Sequence, residues 1–359
     1  MKIRIIFLVL MVLSYCIIIS CSEETKSQEY NPTPYELVLP ASLPKPKLPE
    51  DNPLTVEGIK LGNKLFFDDL LSGDNTMSCS GCHNQKHAFT DNELALSLGI
   101  HKEEGKRNSM PIFNMFYHNN GFFWDGRAVS LREQSLMPIQ DPLEMDETLE
   151  NVVKKLKATK EYPQLFFDAF GTTEINPLRI SLALEQYMFT LVSGNSKYDR
   201  YQAGTDQFTE SEKRGFDLFF RERDPIPFVK GADCFHCHSG PNFSNNEYMN
   251  NGLDEVFIDL GLGAVTKKAS DNGKFKVPSL RNIQVSGPYM HDGRFKTLEE
   301  VLDHYNSGVV DSPTLDANMH GALLGLNLNE QEKTDIINFL KTLTDEEYLT
   351  NLEYKKNTD

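Results

Sequence analysis

The chain predicts a mainly α fold made of two homologous halves in tandem with long loops. Three observations carry this reading: apolar residues recur at helical spacing, no sustained period-2 alternation appears, and the chain repeats its own pattern. Leu149, Val152, Val153 and Leu156 follow i, i+3, i+4, i+7. Ile180, Ala183, Leu184 and Tyr187 do the same, with Met188 and Leu191 continuing the stripe. That second helix has Asn176 as N-cap, Pro177 at its first position and Gly194 beyond its end. Three later helices open on capping boxes: Thr209 with Glu212, Thr297 with Glu300, and Asn329 with Glu332. Gly/Asn/Pro-rich stretches, as in 240–252 and 270–289, are the loops.

The repeat sets the division of the chain. Gly62-Asn-Lys-Leu65-Phe66-Phe67 precedes Cys79-Ser-Gly-Cys82-His83, and Gly215-Phe-Asp-Leu218-Phe219-Phe220 precedes Cys234-Phe-His-Cys237-His238. Arg107-Asn108 leads to Trp124-Asp125-Gly126-Arg127, as Arg281-Asn282 leads to His291-Asp292-Gly293-Arg294. The halves run over 54–205 and 206–359, with the join near 195–208. Ahead of them, Lys2 and Arg4 flank an apolar run ending at Ile18-Ile19-Ser20-Cys21. This reads as a lipoprotein signal peptide over 1–21, with lipid on Cys21 tethering the chain to a membrane on the periplasmic side of the cell envelope; an uncleaved N-terminal anchor is the other reading. Residues 22–53, with seven prolines, read as an extended Pro-rich tether.

The 359 residues carry a formal net charge of −16, which excludes a nucleic-acid binder. Of six cysteines, Cys16 lies in the signal and Cys21 takes the lipid, so the other four form two Cys-x-x-C pairs with none left for a disulfide. Each pair is followed by His. Cys-x-x-Cys-His is the attachment signature of c-type haem. Two thiols one turn apart form thioethers to the macrocycle, and the next residue supplies an axial nitrogen. A zinc site would need four convergent ligands, and a redox dithiol a βαβ context. Two covalent haem c groups follow, on Cys79, Cys82 and His83, and on Cys234, Cys237 and His238. His236 is a filler inside the second motif, and His87, His118 and His320 read as surface or packing residues.

These motifs, together with Lys106-Arg107-Asn108-Ser109, Phe123-Trp124-Asp125-Gly126-Arg127-Ala128, Asp141-Pro142-Leu143-Glu144-Met145 and Pro278-Ser279-Leu280-Arg281-Asn282 followed by Pro288-Tyr289-Met290-His291-Asp292-Gly293, give the chain a resemblance to the bacterial diheme cytochrome c peroxidases and the related MauG enzymes over nearly all of 55–343. The resemblance implies two cytochrome c-like haem domains, the first peroxidatic and the second transferring electrons. It implies Glu144 as distal acid/base with Gln134 in the same pocket, and Trp124 as a relay between the haems. Read alone, Glu144 is a solvated loop carboxylate and Trp124 a core aromatic. A calcium ion at Asn108, Ser286 and Pro288 is also implied. The partners are hydrogen peroxide and a small electron-donor protein such as cytochrome c. Family members often pair as dimers, so a homodimer is a candidate assembly.

The repeat offers its own test of the two irons. Tyr305 lies 14 residues after His291, and its counterpart 14 after Trp124 is Pro138, which has no side-chain donor. The second haem's sixth ligand is then Tyr305, as in MauG-like members, or Met319 from the following loop. His101 lies near the position of a distal histidine in some family members. A MauG-like oxidase of a protein or organic substrate, and a purely electron-carrying diheme cytochrome, are the competing functions.

Overall fold

A computed structural model describes residues 29–91, 94–223 and 230–357. The chain divides into a unit ending at Asn31, of which residues 29–31 are described and have no regular structure, and a unit from Pro32 onward that holds everything below. The signal-peptide and Cys21 readings lie outside the described residues. Among the described residues, no helix is long and apolar enough to cross a membrane.

Helices dominate. In the first half they are α1 (Val56–Phe66), the single turn α2 (Cys79–Cys82), α3 (Leu131–Gln140), α4 (Leu149–Ala158), α5 (Tyr162–Phe170) and α6 (Pro177–Thr190). At the join lies α7 (Lys197–Gln202), and in the second half are α8 (Glu210–Phe219), α9 (Leu262–Thr266), α10 (Leu298–Asp303), α11 (Glu330–Lys341) and α12 (Glu346–Thr350). The expected caps form: Asn176 accepts from Arg179 N, and the boxes at Thr209, Thr297 and Asn329 are closed in both directions. Among the described residues the sheet content is one two-residue antiparallel pair, β1 (Tyr248–Met249) with β2 (Phe275–Lys276).

The duplication seen in the sequence is a duplication of packing. Gly62 of α1 lies against α6 so closely that an added Cβ would sit 1.9 Å from the Ala183 carbonyl oxygen. Gly215 of α8 meets the Asp335 carbonyl of α11 at the same 1.9 Å. One turn further along, Phe66 packs on Tyr187 with ring centroids 5.3 Å apart, and Phe219 on Phe339 at 5.1 Å. Only glycine allows this approach of two helix backbones, which explains its recurrence at the head of both motifs. Each crossed pair anchors its own hydrophobic core, one built from residues 54–191 with Tyr348 and Leu349, the other from 218–343.

Two segments depart from the sequence reading. Residues 22–53 were expected as a tether, yet from Pro32 the segment is docked on the first half. Pro34 bridges Thr55, Leu43 is 5% exposed, and Asn52, 3% exposed, exchanges hydrogen bonds with Glu185 (2.7 Å) and Gln186 (2.8 Å). Each proline lacks an N–H, but a stretch held by side chains and isolated bridges calls on few backbone donors. The C-terminal segment also crosses the boundary assigned to the second half. Tyr348 and Leu349 belong to the first core, Tyr348 donates to the Ile112 carbonyl, and Gln85 donates to the carbonyls of Tyr348 (3.0 Å) and Asn351 (2.8 Å).

Candidate haem sites and the wall between them

Each Cys-x-x-Cys-His turn faces its own cavity. His83 caps α2, and its Nδ1 donates to the Phe89 carbonyl at 2.6 Å. His238 repeats the arrangement toward the Phe243 carbonyl at 3.2 Å. A proton fixed on Nδ1 leaves Nε2 as the nitrogen with a free lone pair, the tautomer a metal-ligating imidazole needs. The four cysteines carry no disulfide. Cys82 and His83 line one cavity; Cys234, Cys237 and His238 line the other. Thiol pair, oriented imidazole and adjoining cavity fit a covalent haem in both halves.

The cavities differ in room. The His83 cavity encloses about 1210 Å³, the His238 cavity about 220 Å³. Pro138, Gln134 and Glu144 all line the larger one. Pro138 lies inside α3 and offers no donor to a metal. Glu144 follows α3 in a loop fixed from both sides: its N–H donates to the Asp141 carbonyl (2.9 Å), and its carbonyl accepts from Ile100 N (2.9 Å). Burial, reinforced by the Asp141 carboxylate and opposed by Arg127, pushes the Glu144 carboxyl up to about 7. A carboxyl near neutrality can both take and return a proton at physiological pH.

The smaller cavity is filled by potential ligands. Tyr305, Met319 and Met290 all line it. Tyr305 sits in a π-helical turn, His304–Gly308, that continues α10 and directs the phenol inward. Burial pushes this phenol up to about 12, with a hydrogen bond from Asn251 pulling the other way. Asn108, Ser286 and Pro288, the residues expected at calcium, share the wall of the same cavity. The Asn108 amide nitrogen lies 3.4 and 3.3 Å from the Leu94 and Ala95 carbonyls. Among the described residues, no group of three or more His, Cys, Asp or Glu is arranged to hold a metal ion, so an ion here would rest on amide, hydroxyl and carbonyl oxygens.

Trp124 is 8% exposed and lines both cavities, as do Asn108 and Lys276. Its indole N–H donates to the Asn108 carbonyl (2.8 Å), and its carbonyl accepts from Lys276 N (2.8 Å). The indole thus stands in the partition between the sites. His101 is turned away: half-exposed, it pairs with Asp146 at 2.8 Å and does not line the cavity. His118 is a packing residue, stacked on Phe122, that also borders the larger cavity.

Sequence reasoning missed two groups. Lys276 is 1% exposed, with Nζ bonded to the Asn120 (3.0 Å) and Asn246 (3.4 Å) carbonyls, and burial lowers it to about 8. A lysine in a loop-rich stretch gives no signal of such burial. Arg107 pairs with Asp125 (2.6 Å) and Asp259 (2.7 Å), tying the two halves at the rim of the larger cavity. Its place in the repeated Arg-Asn motif is the signal that could have found it.

A helical body with two haem-attachment turns, each on its own cavity and separated by a tryptophan, defines a di-haem c-type cytochrome with oxidoreductase chemistry. The chain belongs to the di-haem cytochrome c peroxidase family, whose model matches residues 56–207. Over 308 residues it is 38% identical to the methylamine utilization protein MauG of Methylorubrum extorquens, covering 85% of this chain and 82% of that one. It is 33% identical over 312 residues to the cytochrome c551 peroxidase of Nitrosomonas europaea, covering 86% of each. A crystal structure of a MauG-like protein associated with microbial copper homeostasis superposes with a TM-score of 0.81 at 34% identity, covering 90% of this chain and 100% of that chain. Membership in this family implies two covalently bound haem c groups.

Proposed function

We propose that the protein is a diheme peroxidase that reduces hydrogen peroxide to water with electrons from a small donor protein such as cytochrome c. Each turnover consumes one peroxide, two electrons and two protons and yields two waters. The observation that carries the reading is Glu144, held near neutrality in the roomy His83 cavity that Pro138 also lines. A haem held by Cys79, Cys82 and His83 would supply the redox chemistry toward peroxide and a store for oxidising equivalents. Glu144 would accept a proton from one peroxide oxygen and return it to the other, which would let the latter leave as water. Gln134 orients the peroxide from α3. Trp124 conducts electrons from the second half, where His238 and Tyr305 hold the other haem, with Met319 the alternative to Tyr305. On this reading 54–205 is the peroxidatic domain and 206–359 the electron-transfer domain, the last residues returning to support the first. Calcium at Asn108, Ser286 and Pro288 stiffens the partition. Lipid on Cys21 holds the protein at the periplasmic side of a membrane.

A second reading, a MauG-like oxidase that draws electrons from a protein or organic substrate, is favoured by one observation: a tyrosine rather than a methionine in the π turn, lining the same cavity as His238. A tyrosine ligand lowers the potential of the second haem. Steady-state peroxide reduction with a reduced small cytochrome separates the two. Sustained turnover with the cytochrome supports the peroxidase; fast reaction with peroxide and no oxidation of the cytochrome refutes it.

A further inference from the structure

Asn251 follows β1 and lines the His238 cavity. Its side-chain amide nitrogen donates to Tyr305 Oη at 3.3 Å and to Met290 Sδ at 3.4 Å. Its backbone carbonyl accepts from His304 Nε2 at 3.1 Å. His304 and Tyr305 are neighbours in the π turn. The contacts therefore close a ring: His304, 6% exposed, clamps the backbone of Asn251, and the side chain of Asn251 returns to the residue after His304. Next along the chain, Gly252 N donates to the Asn250 side chain (2.9 Å), and the Asn250 amide reaches Ser312 (2.8 Å) and Thr314 (3.0 Å), so the loop carrying Asn251 is pinned on both sides. An amide held this rigidly is aimed at the phenol oxygen by the fold.

We propose that Asn251 is a positioning residue for the second haem: its amide N–H binds the Tyr305 oxygen and so sets how strongly that oxygen donates to the iron. The inference rests on Tyr305 being the ligand. A hydrogen bond to an anionic oxygen is charge-assisted and draws electron density from it. Outer contacts of this kind tune the metal through its ligand. With the bond present, the phenolate is a weaker donor and the ferrous state is less disfavoured. The second N–H of the same amide holds the Met290 sulfur beside the phenol.

Ferric Asn251→Leu holoprotein, examined by optical spectroscopy and redox titration beside wild type and Tyr305→Phe, tests this. Wild type should show a phenolate-to-iron charge-transfer band that Tyr305→Phe lacks. Asn251→Leu should keep the band but move it to longer wavelength and lower the midpoint potential of the second haem, reducing its share of electrons about three- to tenfold on the net worth of one hydrogen bond. A band and potential unmoved in Asn251→Leu, with the band still lost in Tyr305→Phe, overturns the proposal and leaves the ligand assignment standing. A silent Tyr305→Phe overturns both. Should Asn251→Leu fail to take up haem, resonance Raman of the wild type decides: the phenolate C–O stretch shifts in D₂O if its oxygen accepts an exchangeable hydrogen, and an unshifted stretch overturns the proposal.

Discussion

Replacing Glu144 by Gln keeps the size of the side chain and removes its proton chemistry. Acid/base catalysis by one placed group is worth about 10²–10⁴-fold, so peroxide cleavage should slow by about 3–5 kcal/mol in barrier height. The structure adds a second, opposite effect. The carboxyl is held at about 7 against an ordinary 4.5, chiefly by burial. A raised folded pKa means that the native state binds protons better than the unfolded chain between these values. Stability from this group is therefore full below about 4.5 and is lost as pH rises through about 7. The shift corresponds to at most about 3 kcal/mol above pH 8. Glu144→Gln should thus be less active and, at pH 8, no less stable than wild type, with the stability gain vanishing near pH 4. In the wild type, peroxide reactivity should rise along a limb between 4.5 and 7, since the positive charge of a bound iron acts against burial. Stopped-flow reaction with peroxide from pH 5 to 9 measures the limb, and denaturant titration at pH 4.5 and 8 measures stability. A variant within tenfold of wild-type reactivity and with the same pH limb would refute the assignment.

Trp124→Phe should leave peroxide binding at the first site intact and slow electron delivery from the second, read by stopped-flow following each haem band; equal rates would return Trp124 to a packing role. Cys79→Ala/Cys82→Ala should retain one covalent haem, half the wild-type pyridine haemochrome signal, and a full signal would contradict attachment at the first pair. Gly62→Ala and Gly215→Ala should each part a helix pair whose carbonyl stands 1.9 Å from the new Cβ, costing about 1–3 kcal/mol or more in chemical denaturation. A neutral result at either would mean that the crossing tolerates a methyl group.

Much of the architecture was legible because it is local or repeated. Caps at Asn176, Thr209, Thr297 and Asn329 depend on residues three apart, and each formed as expected. The glycine that opens both repeats was visible as a repeat, and the crossing it permits supplies the physical reason. The grouping of the candidate site residues was legible to the extent that they belong to motifs: Glu144, Gln134 and Pro138 line one cavity, and Trp124 lines both. What escaped depends on contacts between residues far apart in sequence. Leu43 and Asn52 look like parts of a proline-rich spacer until Gly194 and Glu185 are brought to them. Lys276 and Asn251 lie in stretches of polar and small residues, and nothing local distinguishes them from solvated loop positions. His304 reaches the Asn251 carbonyl from a π turn, 53 positions away.

The return of the C-terminal segment has a consequence for biogenesis. Tyr348 and Ile112 are 236 positions apart, and Asn63 holds the Lys355 carbonyl across 292 (2.8 Å). The first half cannot complete its core until nearly the whole chain is available. Contacts of such separation form late, because the loop they close must be ordered first. Gln85, two residues past His83, is among the groups the tail captures. The first Cys-x-x-Cys-His turn therefore stays uncovered during most of chain delivery, which leaves a time window for its two thioether bonds to be made. Closing the tail then fixes Gln85, beside the finished attachment turn, to the Tyr348 and Asn351 carbonyls. Removing residues beyond Thr344 would keep every cysteine and histidine, yet would leave that window permanently open.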